Sequence, residues 1–218
     1  ITITNCVFDG TDRGIRIKAA RGRGGIVEEI RVSNIVMKNI KQEAFMFNLF
    51  YDKNTVVEPV TERTPIFRNI HISNVTATAV NTAGRLIGIP EMPIHNISFS
   101  NINIEAKEGF SVNTAKEVEF HDVKVNTTLG ASFKIENSKN MILDNVSTSS
   151  PISGKPLVSL DNVSNILIHN NFPMEETDVF LEANGAETKA VYLKNNVFSN
   201  VKTVLKEGGK LKSKIHVD

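Results

Sequence analysis

Ile30-Arg31-Val32-Ser33-Asn34-Ile35 is the stretch from which the architecture can be read. Apolar and polar residues alternate, an asparagine follows, and an apolar residue closes the unit. The pattern returns as Ile70-Ile72-Asn74-Val75, Ile97-Phe99-Asn101-Ile102, Val118-Phe120-Asp122-Val123 and Met141-Leu143-Asn145-Val146. Shorter copies stand at Ile1-Ile3-Asn5, Ile166-Ile168-Asn170 and Val191-Leu193-Asn195. The marker residues are therefore 5, 34, 74, 101, 122, 145, 170 and 195, separated by 29, 40, 27, 21, 23, 25 and 25 residues.

Alternation with a period of two describes a strand with one buried face. A unit of a little over twenty residues, repeated along the chain, describes a solenoid. Leucine-rich repeats share this period but need a dense leucine frame and a helical segment. Here Ile, Val and Phe dominate, and no stretch has a helical period. A second set of apolar runs, at 45–49, 86–89, 110–112, 133–135, 157–160 and 179–181, supplies further strands in each unit. The expected fold is all-β, a right-handed parallel β-helix. The marker asparagines read as structural: Asn tolerates left-handed backbone angles and bonds to nearby backbone, and stacked copies can form a side-chain ladder.

Composition agrees with a packed domain. The 218 residues are 40% hydrophobic, with 25 Lys+Arg against 24 Asp+Glu. A net charge of +1 gives no overall pull towards nucleic acid, and no apolar run is long enough for a membrane helix. The single cysteine, Cys6, excludes an internal disulfide and, within an apolar run, reads as a buried inert thiol. Residues 1–218 read as one β-helix domain, a piece of a longer chain truncated at its N-terminal end, since Ile1 opens in the middle of a strand pattern. The 40-residue interval between Asn34 and Asn74 exceeds its neighbours, and the excess is assigned to a loop at 52–64. The Lys- and Gly-rich tail, 206–218, reads as a terminal cap.

One stretch stands out chemically: Gly14-Ile15-Arg16-Ile17-Lys18, followed by the Gly-rich 22–25. On a strand, Arg16 and Lys18 project from one face about 7 Å apart while Ile15 and Ile17 face the core. Like charges so placed repel unless an anion lies across them. Arg can grip a carboxylate with two parallel bonds, and Lys can act as a point charge. Read from spacing alone, the pair is also compatible with an ordinary solvated face.

Gly14-Ile15-Arg16-Ile17-Lys18, the Gly-rich segment after it and Val27-Glu28-Glu29-Ile30-Arg31-Val32-Ser33-Asn34-Ile35 resemble the polygalacturonases, glycoside hydrolase family 28. The resemblance is clearest from residue 1 to about 104. It implies a right-handed parallel β-helix, in agreement with the repeat. It also implies that Arg16 and Lys18 bind a galacturonate carboxylate, with Tyr51 contributing from the next coil. The implied reaction is inverting hydrolysis of galacturonosyl bonds in pectin, with an acidic polysaccharide as partner, no metal or organic cofactor, and an extracellular or periplasmic setting.

The family's catalytic motifs (Asn-Thr-Asp, Asp-Asp and Gly-His-Gly) do not occur here in that role. No catalytic residue is therefore assigned, and the acids are expected upstream. Asp9 and Asp12 tempt as a carboxylate pair but lie in the approach to the basic strand and read as turn residues. His71, His121 and His169 fall at corresponding polar places in the repeat and read as outward-facing structural positions, not as metal ligands. Two other readings remain open: a non-catalytic polysaccharide-binding β-helix of adhesin or tailspike type, and a structural spacer. An exposed first coil is further expected to favour end-to-end self-association.

Overall fold

The computed structural model describes residues 1–51 and 54–218 of the chain. The described residues form fifteen strands and no helix, wound as a right-handed parallel β-helix of about nine turns. Asp52 and Lys53, with which the sequence-assigned loop begins, lie outside the described residues.

Each coil carries two principal strands. The marker face consists of β1 (Thr2–Asp9), β4 (Ile30–Lys38), the first parts of β6 (Ile66–Ile87), β7 (Ile94–Asn113) and β8 (Ala115–Glu136), then β9 (Lys139–Asp144), β11 (Ser164–His169), β13 (Lys189–Lys194) and β15 (His216–Val217). These nine rungs are hydrogen-bonded in that order. The second face consists of β2 (Ile15–Lys18), β5 (Glu43–Asn48), the later parts of β6, β7 and β8, then β10 (Pro156–Asp161), β12 (Thr177–Asn184) and β14 (Val201–Glu207). A short β3 (Ile26–Val27) pairs with the start of β6 on the third side.

The corners explain how one strand spans two faces. All eight marker residues have φ between 50° and 57°, in the left-handed region that Asn and Asp tolerate best. Five residues earlier a second left-handed column runs through Glu29, Asn69, Asn96, Glu117, Asn140, Asn165 and Ala190. Asn side chains bridge successive rungs at both corners. Asn34 donates to Asn5 at 3.1 Å, Asn74 to Asn34 at 3.1 Å and Asn101 to Asn74 at 2.8 Å. At the other corner Asn69 donates to Glu29 at 2.9 Å and Asn96 to Asn69 at 2.7 Å. The structural role read for the markers is therefore the one they have, and the second ladder is an addition to it.

Inward-facing residues stack in register. On the marker face one column runs Val32, Ile72, Phe99, Phe120, Leu143, Ile168 and Leu193, all buried. On the second face Phe45, Gly84, Phe110 and Phe133 align. A Cβ on Gly84 would stand 2.4 Å from the Phe110 ring, so only glycine leaves room for that ring to stack with Phe45 at 6.2 Å. Rings from the two faces meet edge to face, Phe99 on Phe110 at 5.1 Å and Phe120 on Phe133 at 5.3 Å.

The first coil differs. β1 is bonded on one side only, to β4, and its inward residues Ile3, Cys6 and Phe8 are half-buried. The Cys6 side chain is half-buried, and its thiol donates to the Thr4 carbonyl at 3.3 Å. At the other end the chain leaves β14 and adds β15 beneath β13, where His216 stacks on Tyr192 at 4.8 Å and Ile215 is buried.

Candidate functional site

Strand β2 places Arg16 and Lys18 outward on the second face, flanked by a buried Ile15 and a half-buried Ile17. Its partner β5 sets Met46 beside Arg16 and Asn48 beside Lys18. Asn48 is almost fully buried, and its side-chain oxygen accepts the Phe50 amide at 2.7 Å. This two-residue turn swings the chain back over β2. Tyr51 is thereby brought against Arg16, whose Nη2 donates to the tyrosine oxygen at 3.0 Å. The three residues singled out in the sequence are consequently neighbours, with Tyr51 half-exposed and both cations open to solvent.

Among the described residues neither cation has an ion pair, and the Lys18 side chain has no hydrogen bond. The Tyr51 bond is the main reason that the Arg16 guanidinium holds its proton more firmly than usual, with Asp12 and Glu43 adding attraction from a distance. Because the tyrosine oxygen accepts from Arg16, its own O–H is directed elsewhere and is available to a ligand oxygen.

The surroundings of the pair are, by contrast, tied together. Arg21 grips Glu91 with both nitrogens, Nε to Oε1 at 2.6 Å and Nη2 to Oε2 at 2.9 Å. It also donates to the Asn54 carbonyl at 2.7 Å and lies over the Phe50 ring. Arg21 thereby binds the long loop to the coil below, and its fork holds the Glu91 carboxyl below the ordinary carboxylate range. The Gly-rich segment is held against the base of the same loop, with the Gly22 and Gly24 amides both donating to the Arg63 carbonyl at 3.1 and 2.8 Å. Gly24 has a φ of 64° and a Cβ there would strike the Glu62 carbonyl at 2.3 Å, so the glycine is required. On the opposite side the buried Glu43 is held by Arg13 at 2.7 Å. Arg21 and Glu91 are the supporting residues that the sequence did not announce.

The tempting acids are not brought together as a pair. Asp12 is engaged by Arg13 at 2.6 Å and by Gln42 at 2.7 Å, while Asp9 accepts from Asn39 at 2.8 Å. The histidines face outward as expected, though not in one column. His121 and His169 share a column on either side of Asp144, whereas His71 stands one column over, beside Ser98. Their offset from the markers differs by two residues, which puts them on different outward positions. Among the described residues no group of three or more His, Cys, Asp or Glu could hold a metal ion.

The family model that matches this chain, over residues 1–119, is that of the glycosyl hydrolases family 28. The chain belongs to glycosyl hydrolase family 28. Its similar relatives bear names from the same group. A "Probable polygalacturonase" of Vitis vinifera is 35% identical over 94 residues, 43% of this chain and 19% of the relative. An "Exopolygalacturonase rpg15" of Rhizopus delemar is 24% identical over 127 residues, 56% of this chain and 33% of the relative. An "Endo-polygalacturonase" of Pectobacterium carotovorum is 34% identical over 53 residues, 24% of this chain and 13% of the relative. The matched stretches thus span a third or less of these relatives. No solved structure matches the chain. This family-28 chain has its basic strand, its Gly-rich segment and Tyr51 all inside the matched residues.

Proposed function

We propose that this chain is the substrate-gripping part of a pectin-degrading glycoside hydrolase of polygalacturonase type. The observation that carries the reading is the Arg16–Lys18–Tyr51 cluster, two cations without carboxylate partners among the described residues, beside Arg13 and Arg21, which are engaged by acids. A galacturonate carboxylate across the pair relieves their repulsion. Arg16 has N–H groups beyond the one given to Tyr51 and can bind both carboxylate oxygens, with Lys18 supplying a point charge. Tyr51 orients the guanidinium and offers its O–H to a sugar oxygen. Arg21 and Glu91 keep the loop that carries this edge in place.

Hydrolysis with inversion needs a carboxylic acid to protonate the leaving oxygen and a carboxylate to activate water, held roughly 6.5–9.5 Å apart. Asp9 and Asp12 do not serve, since each is occupied by its own amide or guanidinium partners. The acid and base belong, on this reading, to coils outside residues 1–218, and the chain acts outside the cell or in the periplasm, where pectin is met.

Titration calorimetry with oligogalacturonate tests the assignment. The chain binds it, Arg16→Gln and Lys18→Gln each weaken binding about tenfold or more, and a methyl-esterified oligomer binds poorly, as a charge-assisted bond of this kind implies. Absence of binding sinks the grip. Release of reducing ends by residues 1–218 alone sinks the division of labour. Binding with no cleavage even after extension by upstream coils would leave a non-catalytic polysaccharide-binding β-helix.

A further inference from the structure

The column that contains Arg16 does not end at the grip. In register along the second face stand Arg16, Met46, Arg85, Ser111 and Lys134, one residue per rung. Parallel strands lie about 4.8 Å apart, so cations recur every second rung, at intervals of about 10 Å. Arg85 and Lys134 line one open groove of about 500 Å³, with Ser111 between them and Ile87 and Leu129 supplying apolar surface. Charged groups over a hydroxyl and a small apolar floor are what an acidic sugar presents surface for: carboxylates, hydroxyls and a weakly polar ring face.

We propose that Arg85 and Lys134 are two further carboxylate-binding positions for an acidic oligosaccharide running along the solenoid axis away from Arg16, Lys18 and Tyr51. The inference rests on the acidic-polysaccharide reading of that grip and extends it by four rungs. Both side chains are accessible, with 40% and 54% of their surface exposed. Arg85 is steadied by Glu108 at 2.8 Å through Nη2 and by Glu43 at 3.8 Å through Nε, which leaves Nη1 for a ligand. Lys134 pairs with Glu136 at 3.0 Å. Exposed pairs of this kind contribute little and exchange readily for another carboxylate. Beyond Lys134 the column continues as Ser159, Glu182 and Lys206, where Glu182 and Lys206 pair with each other at 3.4 Å, so the two-rung spacing of cations stops at Lys134.

The test compares a dimeric and a decameric oligogalacturonate by titration calorimetry on the chain as it stands. The decamer binds more tightly than the dimer. Arg85→Gln and Lys134→Gln each weaken the decamer about fivefold, the upper end for an exposed ion pair, and leave the dimer unchanged. Lys134 is exposed and outside the core, so its variant folds, and Arg85→Lys recovers part of the loss. Arg16→Gln weakens both oligomers. If decamer and dimer bind alike, or if neither variant alters the decamer while Arg16→Gln still does, the extended row is wrong and the grip stands. If no oligomer shows Arg16-dependent binding, the grip itself is wrong and the row falls with it.

Discussion

Asn74 and Arg16 both stand on the outside of the same solenoid, and their surroundings are opposite. Asn74 has an asparagine above and below it, donates to one and accepts from the other, and needs nothing from outside. Arg16 has a methionine on the next rung and one tyrosine oxygen for company. In a stacked fold, polarity that repeats down a column satisfies itself. Polarity that interrupts a column is left for something that is not part of the fold. Abundance therefore misleads: the many asparagines hold the frame together, while on the proposed reading it is the Arg16–Lys18 pair that meets the substrate.

The largest effect expected from this contrast is at the asparagine. Asn74→Ala loses two side-chain bonds and puts a Cβ without compensation at φ 55°, which costs about 2 kcal/mol of stability and leaves oligogalacturonate binding unchanged. Asn74→Gly removes the backbone part of that cost and recovers about half in chemical denaturation. If the alanine variant were as stable as its parent, the ladder would be ornament. The mirror experiment is Arg16→Met, which makes the residue like its neighbour Met46. Its stability stays within about 0.5 kcal/mol, as for a surface position, while binding is lost. A large loss of stability would mean that Arg16 belongs to the frame after all.

The smallest effect separates two histidines on adjacent outward columns. Partial burial pulls the His121 pKa down, but the hydrogen bonds that its ring nitrogens donate to Glu119 and Asp144 at 3.1 Å outweigh it, and the net shift is upward from 6.5. Its contribution is therefore full below 6.5 and fades as pH rises through the raised value. His71 moves the other way, lowered by burial and then by Arg31. Its contribution is full above 6.5 and fades as pH falls through the lowered value. Thermal unfolding across this range should show His121→Gln flattening the alkaline fall and His71→Gln the acid one. Identical profiles for the two variants would contradict the different columns.

The frame was legible because its signal is local. Val32, Ile72 and Phe99 face inward by simple alternation, and Asn34, Asn74 and Asn101 mark the corner in the same six residues. The second corner left the same trace at Asn69, Asn96, Asn140 and Asn165, five residues before each marker, but Glu29, Glu117 and Ala190 interrupt it. Arg16 and Lys18 were legible as a same-face pair on one strand. Their supports were not, since Arg21 finds Glu91 at a separation of 70 residues. Nor could the row through Arg85 and Lys134 be counted from the sequence. Its successive separations are 30, 39, 26 and 23 residues, because each coil carries loops of its own length. The two-residue difference in the offset of His71 and His121 from their markers, three residues before Asn74 against one before Asp122, was by contrast open to reading in the sequence.

The register that aligns Arg16, Met46, Arg85, Ser111 and Lys134 on the second face has an evolutionary corollary. It acts as a graduated scale, on which every coil offers one outward side chain a fixed step from the last, whatever its loops are doing. A single substitution can add or erase a mark without disturbing the winding, since the inward residues on either side are untouched. Met46 and Ser159 are the marks at which selection could lengthen or fill the row of charges, and so retune the chain for polymers of different acidity while the frame stays as it is.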